Sequence, residues 1–104
     1  MKTFEYTSAT EMIINESGSL QQFYRLTNVL SKTRHVHFTT KEDDAESVEW
    51  RFSYRGNKLA LQYNIYNGVT LLFNEKDSKT ANKIAVRLRE VQYLSSTIDA
   101  RMLQ

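Results

Sequence analysis

Histidine is a common metal ligand, and the sequence has two histidines, His35 and His37. Residues i and i+2 of a β-strand point to the same face, so both imidazoles could reach one ion. The chain has no cysteine, and no carboxylate can be placed beside the pair from the sequence. We therefore favour two exposed polar strand residues, and we predict no metal and no cofactor.

Four acidic residues follow the histidines, at Glu42, Asp43, Asp44 and Glu46. An EF-hand loop needs ligands at alternating positions around a central glycine, and this segment has neither. Residues 41–47 are therefore predicted to form a solvated connection. The alternative is an acidic contact for a basic partner.

The sequence also lacks the patterns of common enzyme classes. No serine is flanked by glycines in the manner of a nucleophile elbow. The three glycines are isolated, so they cannot form a phosphate-binding loop. We expect no catalytic residues and no enzymatic activity.

Basic residues form two candidate binding surfaces, and the first lies on a helix. Its residues are spaced to line one side of a predicted C-terminal helix. Two of them lie at its N-terminal end, where the helix dipole disfavours cations by a few tenths of a kcal/mol each. The residues of this surface are Lys76, Lys79, Lys83 and Arg87. Cations at a helix end where the dipole is unfavourable to them indicate a binding role. The alternative is an ordinary solvated helix face.

The second basic surface lies on the predicted sheet and includes an aromatic side chain. Its members are Arg51, Arg55, Lys58 and Tyr66. Basic residues interleaved with an aromatic on an exposed sheet face can neutralise phosphates and stack on bases. This pattern is compatible with nucleic-acid binding, and an ordinary soluble surface is the alternative.

Two helices are predicted on either side of the strands. Ser19 and Gln22 fit a capping box, and apolar residues at helical spacing follow, so residues 19–32 are predicted to form an amphipathic helix. A second helix is predicted to begin at Asp77 or Ser78, with a seam of apolar residues at alternating steps of three and four.

The strands are predicted from alternation of apolar and polar residues. Residues 48–54 alternate strictly, and two-residue turns are predicted at Gly56-Asn57 and Asn67-Gly68. A further strand is predicted near residues 34–40. Short strands are expected in the N-terminal region, around residues 4–6 and 12–14.

These elements predict an α+β fold in the order β-α-β-β-β-β-α. The sheet is expected to be an antiparallel β-meander of about four strands with two helices packed on one face. That face carries Trp50 and other aromatic residues, and nothing else in the chain can cover it. The opposite face is expected to be open to solvent or to a partner.

Length and composition indicate one globular domain, residues 1–104, with 40% hydrophobic and 25% charged residues. The lack of cysteine favours a reducing compartment, and no apolar run approaches the ~20 residues of a membrane span. We therefore expect a cytoplasmic protein without membrane contact. The net charge of +2 is too small to imply nucleic-acid binding by itself.

Residues 77–88, Asp-Ser-Lys-Thr-Ala-Asn-Lys-Ile-Ala-Val-Arg-Leu, resemble the start of the last helix in double-stranded RNA-binding domains. The resemblance implies that lysines before an alanine-rich face grip phosphates. The α-β-β-β-α order of that family is also close to the predicted order.

The whole chain resembles the small proteins of phages that infect low-GC Gram-positive bacteria. It is compact, rich in lysine, asparagine and threonine, and free of cysteine. The resemblance implies a protein that binds and disables one host protein, such as a helicase loader or a defence nuclease.

These observations predict a non-enzymatic protein-binding module, an inhibitor or accessory factor from a phage or mobile element that acts on a host replication or defence protein. The alternative is a nucleic-acid-binding domain that uses the basic helix face and the open sheet face. Nucleic-acid-binding domains are usually strongly basic, whereas here fourteen basic residues meet twelve acidic ones.

The end of the C-terminal helix is the candidate contact for a protein partner or a second copy. A helix from Ser78 to Met102 would be about 37 Å long, whereas an eight-residue strand spans about 27 Å. We therefore expect the last turns of the helix to extend beyond the sheet, where their apolar residues could fold back on the N-terminal strand, fray in solvent or meet another chain. The apolar residues there are Tyr93, Leu94, Ile98, Met102 and Leu103.

We predict a homodimer that pairs these helix ends, since closed two-fold dimers are the commonest oligomers. Ile98→Asp combined with Met102→Asp would place charge in the contact and yield a monomer. Light scattering after size exclusion measures the mass. A wild-type chain that stays near its monomer mass of 12.2 kDa at high concentration would exclude the dimer.

Overall fold

The computed structural model of the chain describes residues 9–44 and 46–102, and the surroundings of side chains in 10–44 and 46–91. It contains an antiparallel five-stranded sheet and two helices, which confirms the predicted α+β fold. The strands are β1 Ala9–Asn15, β2 Val36–Asp43, β3 Ser47–Tyr54, β4 Asn57–Asn64 and β5 Gly68–Asn74. The helices are α1 Leu20–Ser31 and α2 Ser78–Met102, and a 3-10 turn, Glu75–Asp77, precedes α2.

The strands lie in the order β1-β5-β4-β3-β2. Strands β2 to β5 form the predicted meander, and β1 pairs with β5, so the sheet has five strands where about four were predicted. Residues 12–14 belong to β1 as expected. The strand predicted around Phe4 and Tyr6 lies outside the described residues.

Both helices pack on the predicted aromatic face. Helix α1 lies over β2 and β4, and α2 lies over β1 and β5. The fully buried side chains include Phe23 and Leu26 of α1, Phe52 of β3 and Leu71 of β5. Burial of each such side chain contributes about 1.5–3 kcal/mol to the free energy of unfolding.

Trp50 lies at the margin of this core. Its ring meets the rings of Phe23, Tyr24 and Phe38 edge-on, with centroids 5.9, 5.8 and 5.4 Å away. The Lys41 ammonium lies 4.1 Å from the centroid of the Trp50 ring. Trp50 is therefore on the helix-covered face as predicted, although it is only partly buried.

The opposite face is closed at its centre, so the prediction of an open face is wrong there. Ala60, Thr70 and Leu72 alternate to that face, and all three are buried. The nearly continuous apolar run of β5 is typical of a strand that is buried on both faces.

Helix α1 begins with part of the predicted capping box. The Ser19 hydroxyl accepts the amide of Gln22 at 3.2 Å, which satisfies one of the free N–H groups of the first turn. The Gln22 side chain, however, accepts a hydrogen bond from the Asn15 amide group at 2.8 Å. This bond ties the start of α1 to the end of β1.

The strand β2 is displaced along the chain from its prediction. It runs from Val36 to Asp43 and includes a bulge between Phe38 and Thr40. The bulge adds one residue, so Lys41 turns to the same face as Trp50. Glu42 and Asp43 are therefore strand residues, and the solvated connection is shorter than predicted.

The turn between β3 and β4 is formed by Arg55 and Gly56, one residue earlier than predicted. Tyr54 pairs with Asn57, and both turn residues have positive φ, 52° and 86°. This is the backbone of a two-residue hairpin turn that suits the twist of the strands. The next loop has three residues, because Asn64 pairs with Gly68.

Gly68 and Gly56 offer a matched test of backbone packing. Both have positive φ, but a Cβ at position 68 would collide with the carbonyl oxygens of Asn15 and Glu16, whereas none lies near position 56. We expect Gly56→Ala to cost about 1–2 kcal/mol and Gly68→Ala to exceed about 4 kcal/mol. Chemical denaturation measures both, and equal losses would contradict the predicted contact.

Candidate functional site

The antiparallel register brings cations from distant parts of the sequence to one end of the sheet, which we call the basic end. Val36 pairs with Tyr54, Tyr54 pairs with Asn57, and Ala9 pairs with Asn74. The α1–β2 connection, the β3–β4 turn and the start of α2 therefore meet there. Eight exposed basic residues lie in these segments or in the first three turns of α2: Lys32, Arg34, Arg55, Lys58, Lys76, Lys79, Lys83 and Arg87.

The opposite end of the sheet is acidic. The β1–α1, β2–β3 and β4–β5 connections meet there, since Asp43 pairs with Val48 and Asn64 pairs with Gly68. Acidic residues in or beside these connections are Glu16, Glu42, Asp43, Asp44 and Glu46. We call this the acidic end. The small net charge of the chain does not reveal that basic and acidic residues concentrate at opposite ends of the sheet.

A cleft of about 270 Å³ opens at the basic end between α1 and α2. The end of α1 and the loop that follows form one wall, α2 forms the other, and the end of β3 lies between them. Among the described residues, five cations and no carboxylate line it. The lining residues are Lys32, Thr33, Arg34, His35, Tyr54, Arg55, Lys83, Ile84 and Arg87.

Backbone hydrogen bonds fix the wall formed by the α1–β2 connection. The amide of Lys32 donates to the Val29 carbonyl at 3.1 Å, and the Thr33 hydroxyl donates to the same carbonyl at 2.8 Å. The amide of Val36 donates to the Thr33 carbonyl at 3.2 Å. The loop is therefore held in one conformation between α1 and β2.

Asn57 connects the β3–β4 turn to the opposite wall. Its side-chain amide donates to the Tyr54 carbonyl and to the Thr80 hydroxyl, each at 3.2 Å. The hairpin turn is thereby tied to the first turn of α2. In the second and third turns, Lys83 and Arg87 lie four residues apart and share one helix face, while Ile84 between them is buried in the core.

Two residues of the cleft have unusual backbone conformations. His35 and Arg55 are the non-glycine residues with positive φ in the described part of the chain, at 71° and 52°. They contact each other, because the Arg55 amide donates to the His35 carbonyl at 3.4 Å. This conformation costs an ordinary residue about 1–2 kcal/mol and suits glycine or asparagine. Strained positions of this kind cluster at functional sites.

The cleft combines unneutralised positive charge with an aromatic ring. Among the described side chains, no carboxylate forms an ion pair with its five cations. Tyr54 is half-buried between the walls, and the Arg55 guanidinium lies 5.5 Å from the centroid of its ring. A cleft lined by one sign of charge concentrates ligands of the opposite sign.

The structure brings together three of the predicted basic residues in the cleft: Arg55, Lys83 and Arg87. Lys58 and Lys76 line a neighbouring depression of about 270 Å³ that also contains Asp77. Lys79 is exposed one helical turn before Lys83. The predicted helix surface and part of the predicted sheet surface therefore lie at the same end of the sheet, where Glu75 and Asp77 flank Lys76.

Arg51 and Tyr66 lie away from this surface. The Arg51 side chain donates to Glu49 at 2.7 Å and lies 3.8 Å from a carboxylate oxygen of Glu42. Gln62 donates to the other oxygen of Glu49 at 3.3 Å. Arg51 thus belongs to a neutralised network on the face opposite the helices, and Tyr66 lies in the β4–β5 loop at the acidic end.

The predicted contact at the end of α2 falls largely outside the described residues. Helix α2 extends through Met102 as predicted. The side chains of Tyr93, Leu94, Ile98 and Met102, and the whole of Leu103, lie outside the described part of the chain. The homodimer therefore stays a prediction.

The two histidines do not share a strand face. His37 lies in β2, but His35 precedes the strand in a left-handed conformation. Within the described residues, no cluster of three or more histidine or acidic side chains could hold a metal ion.

Sequence reasoning missed Lys32, Arg34 and Tyr54 as members of the site, and it considered His35 for metal binding alone. Tyr54 was assigned to the core because it ends an alternating apolar strand. The useful signal was the position of each charged residue relative to the ends of the predicted meander. All the missed residues lie at or beside an element boundary at the same end.

No protein-family model matches the sequence, and no curated protein matches it. Among the helices in the described part of the chain, none has both the length and the hydropathy of a membrane span.

His35 provides a test of whether the backbone of the cleft is strained. Asparagine tolerates positive φ better than histidine, so His35→Asn is expected to stabilise the fold by up to about 1 kcal/mol. His37→Asn is the matched control, because it introduces a poor strand former into β2 and is expected to be neutral or destabilising. Thermal and chemical unfolding measure both, and a destabilised His35→Asn would show that the histidine side chain itself supports the loop.

Proposed function

We propose that this chain is a non-enzymatic nucleic-acid-binding module that holds phosphates at its basic end. The observation that carries the proposal is the cleft itself, in which five cations and no carboxylate converge from three separate segments. Two of its residues, His35 and Arg55, have positive φ, a conformation in which asparagine, aspartate and histidine are enriched and arginine is not. The strained position of Arg55 supports a functional role for this turn, because strained residues cluster at functional sites.

The distribution of charge favours a ligand with repeated negative groups. Arginine presents a planar fork of donors that matches a phosphate, and lysine adds a point charge. The cations continue beyond the cleft to Lys58, Lys76 and Lys79, at the same end of the sheet. A nucleic-acid backbone has regularly spaced phosphates, so it can engage such a surface at several points.

The balanced total charge of the chain does not oppose this proposal. Binding depends on the potential at the contact surface, and charges beyond about 8–10 Å are largely screened at physiological salt. The acidic residues of the β2–β3 connection lie at the other end of the strands. The ligand would therefore meet a surface much more basic than the chain average.

A protein-binding role is the second candidate, and a feature of the acidic end favours it. Ile65 and Tyr66 in the β4–β5 loop are 59% and 73% exposed. The Asn64 side chain accepts hydrogen bonds from the amides of Tyr66 and Asn67, at 2.9 and 2.7 Å, so the loop is preorganised. A partner for this loop would offer an apolar pocket with a basic rim. An inhibitor or accessory role of the kind found in phage proteins would use such a surface.

Paired charge removals test the nucleic-acid proposal. Lys83→Ala with Arg87→Ala removes two cations of the cleft, whereas Arg25→Ala with Lys41→Ala removes two cations elsewhere and lowers the net charge equally. Fluorescence anisotropy with labelled oligonucleotides would measure affinity against salt. The first pair is expected to weaken binding roughly a hundredfold or more at low salt, because charge-assisted hydrogen bonds contribute about 1.5 kcal/mol or more each and about 1.4 kcal/mol corresponds to a factor of ten.

The same substitutions are expected to flatten the salt dependence. Losing two phosphate contacts reduces the log–log slope by about 1.8 on a duplex or about 1.4 on a single strand, and the control pair should change it little. Equal effects of the two pairs would contradict a localised site. If no oligonucleotide binds below ~10 µM at low salt, which is within the usual non-specific range, the proposal is wrong and the acidic end becomes the better candidate surface.

A further inference from the structure

We infer that the cleft selects single-stranded nucleic acid, with one unstacked base against the ring of Tyr54 and the adjoining phosphates held by the two basic walls. This inference rests on the proposed function and specifies its ligand. It follows from the position of Tyr54 within the cleft, from the recessed shape of the site and from the distribution of cations on both sides.

Tyr54 is fixed in place and still accessible. It ends β3 on the helix-covered face, where its ring packs against the buried core, and its backbone is held by pairing with Val36 and Asn57. Tyr54 nevertheless lines the cleft, and the Arg55 guanidinium lies 5.5 Å from the centroid of its ring. An aromatic ring flanked by cations is the arrangement with which proteins bind single strands, because every base has a face that can stack.

The cleft lies between projecting walls, and this shape discriminates against a duplex. The α1–β2 connection with Lys32 and Arg34 stands on one side of Tyr54, and α2 with Lys83 and Arg87 stands on the other. In a duplex the bases are stacked and paired inside the phosphate backbones, so no base could stack on the Tyr54 ring between these two walls without being flipped out. A single strand can turn one base inward at little energetic cost.

The cations on the two walls of the cleft match the arrangement of phosphates along a single nucleic-acid strand. A nucleotide whose base enters the cleft has one phosphate on each side, and each of these would meet a pair of basic side chains. Recognition through phosphates and a stacked base uses no donor or acceptor pattern of a particular base. The site is therefore expected to bind with little sequence preference.

The test uses three ligands of the same length, about 12 nucleotides, which lies within the range of typical single-strand sites. These are a labelled single strand, its duplex, and the same strand with abasic sites in its centre, each prepared as DNA and as RNA. Fluorescence anisotropy of the full chain at low salt measures the three affinities. The intact single strand is expected to bind at least about fivefold more tightly than either other ligand, because stacking of one base contributes about 5- to 100-fold in affinity.

Two substitutions assign the effect to the ring. Tyr54→Phe keeps the aromatic face and is expected to keep the preference for the intact strand. Tyr54→Leu keeps an apolar side chain in the core but removes the face, so intact and abasic strands should bind about equally. Thermal unfolding establishes that each variant is folded. If Tyr54→Leu does not fold, the comparison of intact and abasic strands on the wild-type chain decides the question.

The outcomes separate this inference from the proposal beneath it. If the wild-type chain binds duplex, abasic and intact strands equally, the single-strand inference is wrong, and the proposal of phosphate binding still holds. Equal losses in Tyr54→Phe and Tyr54→Leu also overturn it, because they would assign the effect to the hydroxyl. No binding to any of the ligands overturns the nucleic-acid proposal itself.

Discussion

The antiparallel register of the sheet determines where every connection of this chain lies. Because β2 to β5 form a meander and β1 pairs with β5, successive connections alternate between the two ends. The α1–β2, β3–β4 and β5–α2 connections lie at one end, and the β1–α1, β2–β3 and β4–β5 connections lie at the other. Basic residues of alternate connections therefore gather at one end of the molecule, together with Glu75 and Asp77, and acidic residues of the β1–α1 and β2–β3 connections gather at the other end.

The strain at the basic end is small compared with the stabilisation from the core. His35 and Arg55 in left-handed conformations cost about 1–2 kcal/mol each. A single fully buried side chain such as Leu71 contributes about 1.5–3 kcal/mol, and many side chains of this kind lie between the helices and the sheet. The fold can therefore retain two unfavourable turn residues without approaching instability, provided that their side chains serve a function.

Much of the fold follows from local patterns in the sequence, but the cleft does not. The alternation in β3, the glycines at the two hairpins and the cap at Ser19 predicted the elements and their order, because each reflects a local preference of the backbone. The β3–β4 turn lies at Arg55 and Gly56, one residue before the predicted position, because Gly56 can occupy either the first or the second position of a two-residue turn. The bulge that extends β2 and the approach of Lys32 and Arg34 to α2 depend on tertiary packing, and no local pattern encodes them.

Because the two charged ends are separated, the total charge of the chain is a poor guide to the electrostatic potential at either end. A strand of eight residues spans about 27 Å, whereas the screening length at physiological salt is about 8 Å. The potential at the cleft is therefore set by the cations around it, and the acidic residues near Asp44 contribute little there. A polyanion that approaches the acidic end is repelled at short range, so the proposed contact with nucleic acid would form at the other end. Such a contact would leave the exposed Ile65 and Tyr66 at the acidic end free to contact a protein.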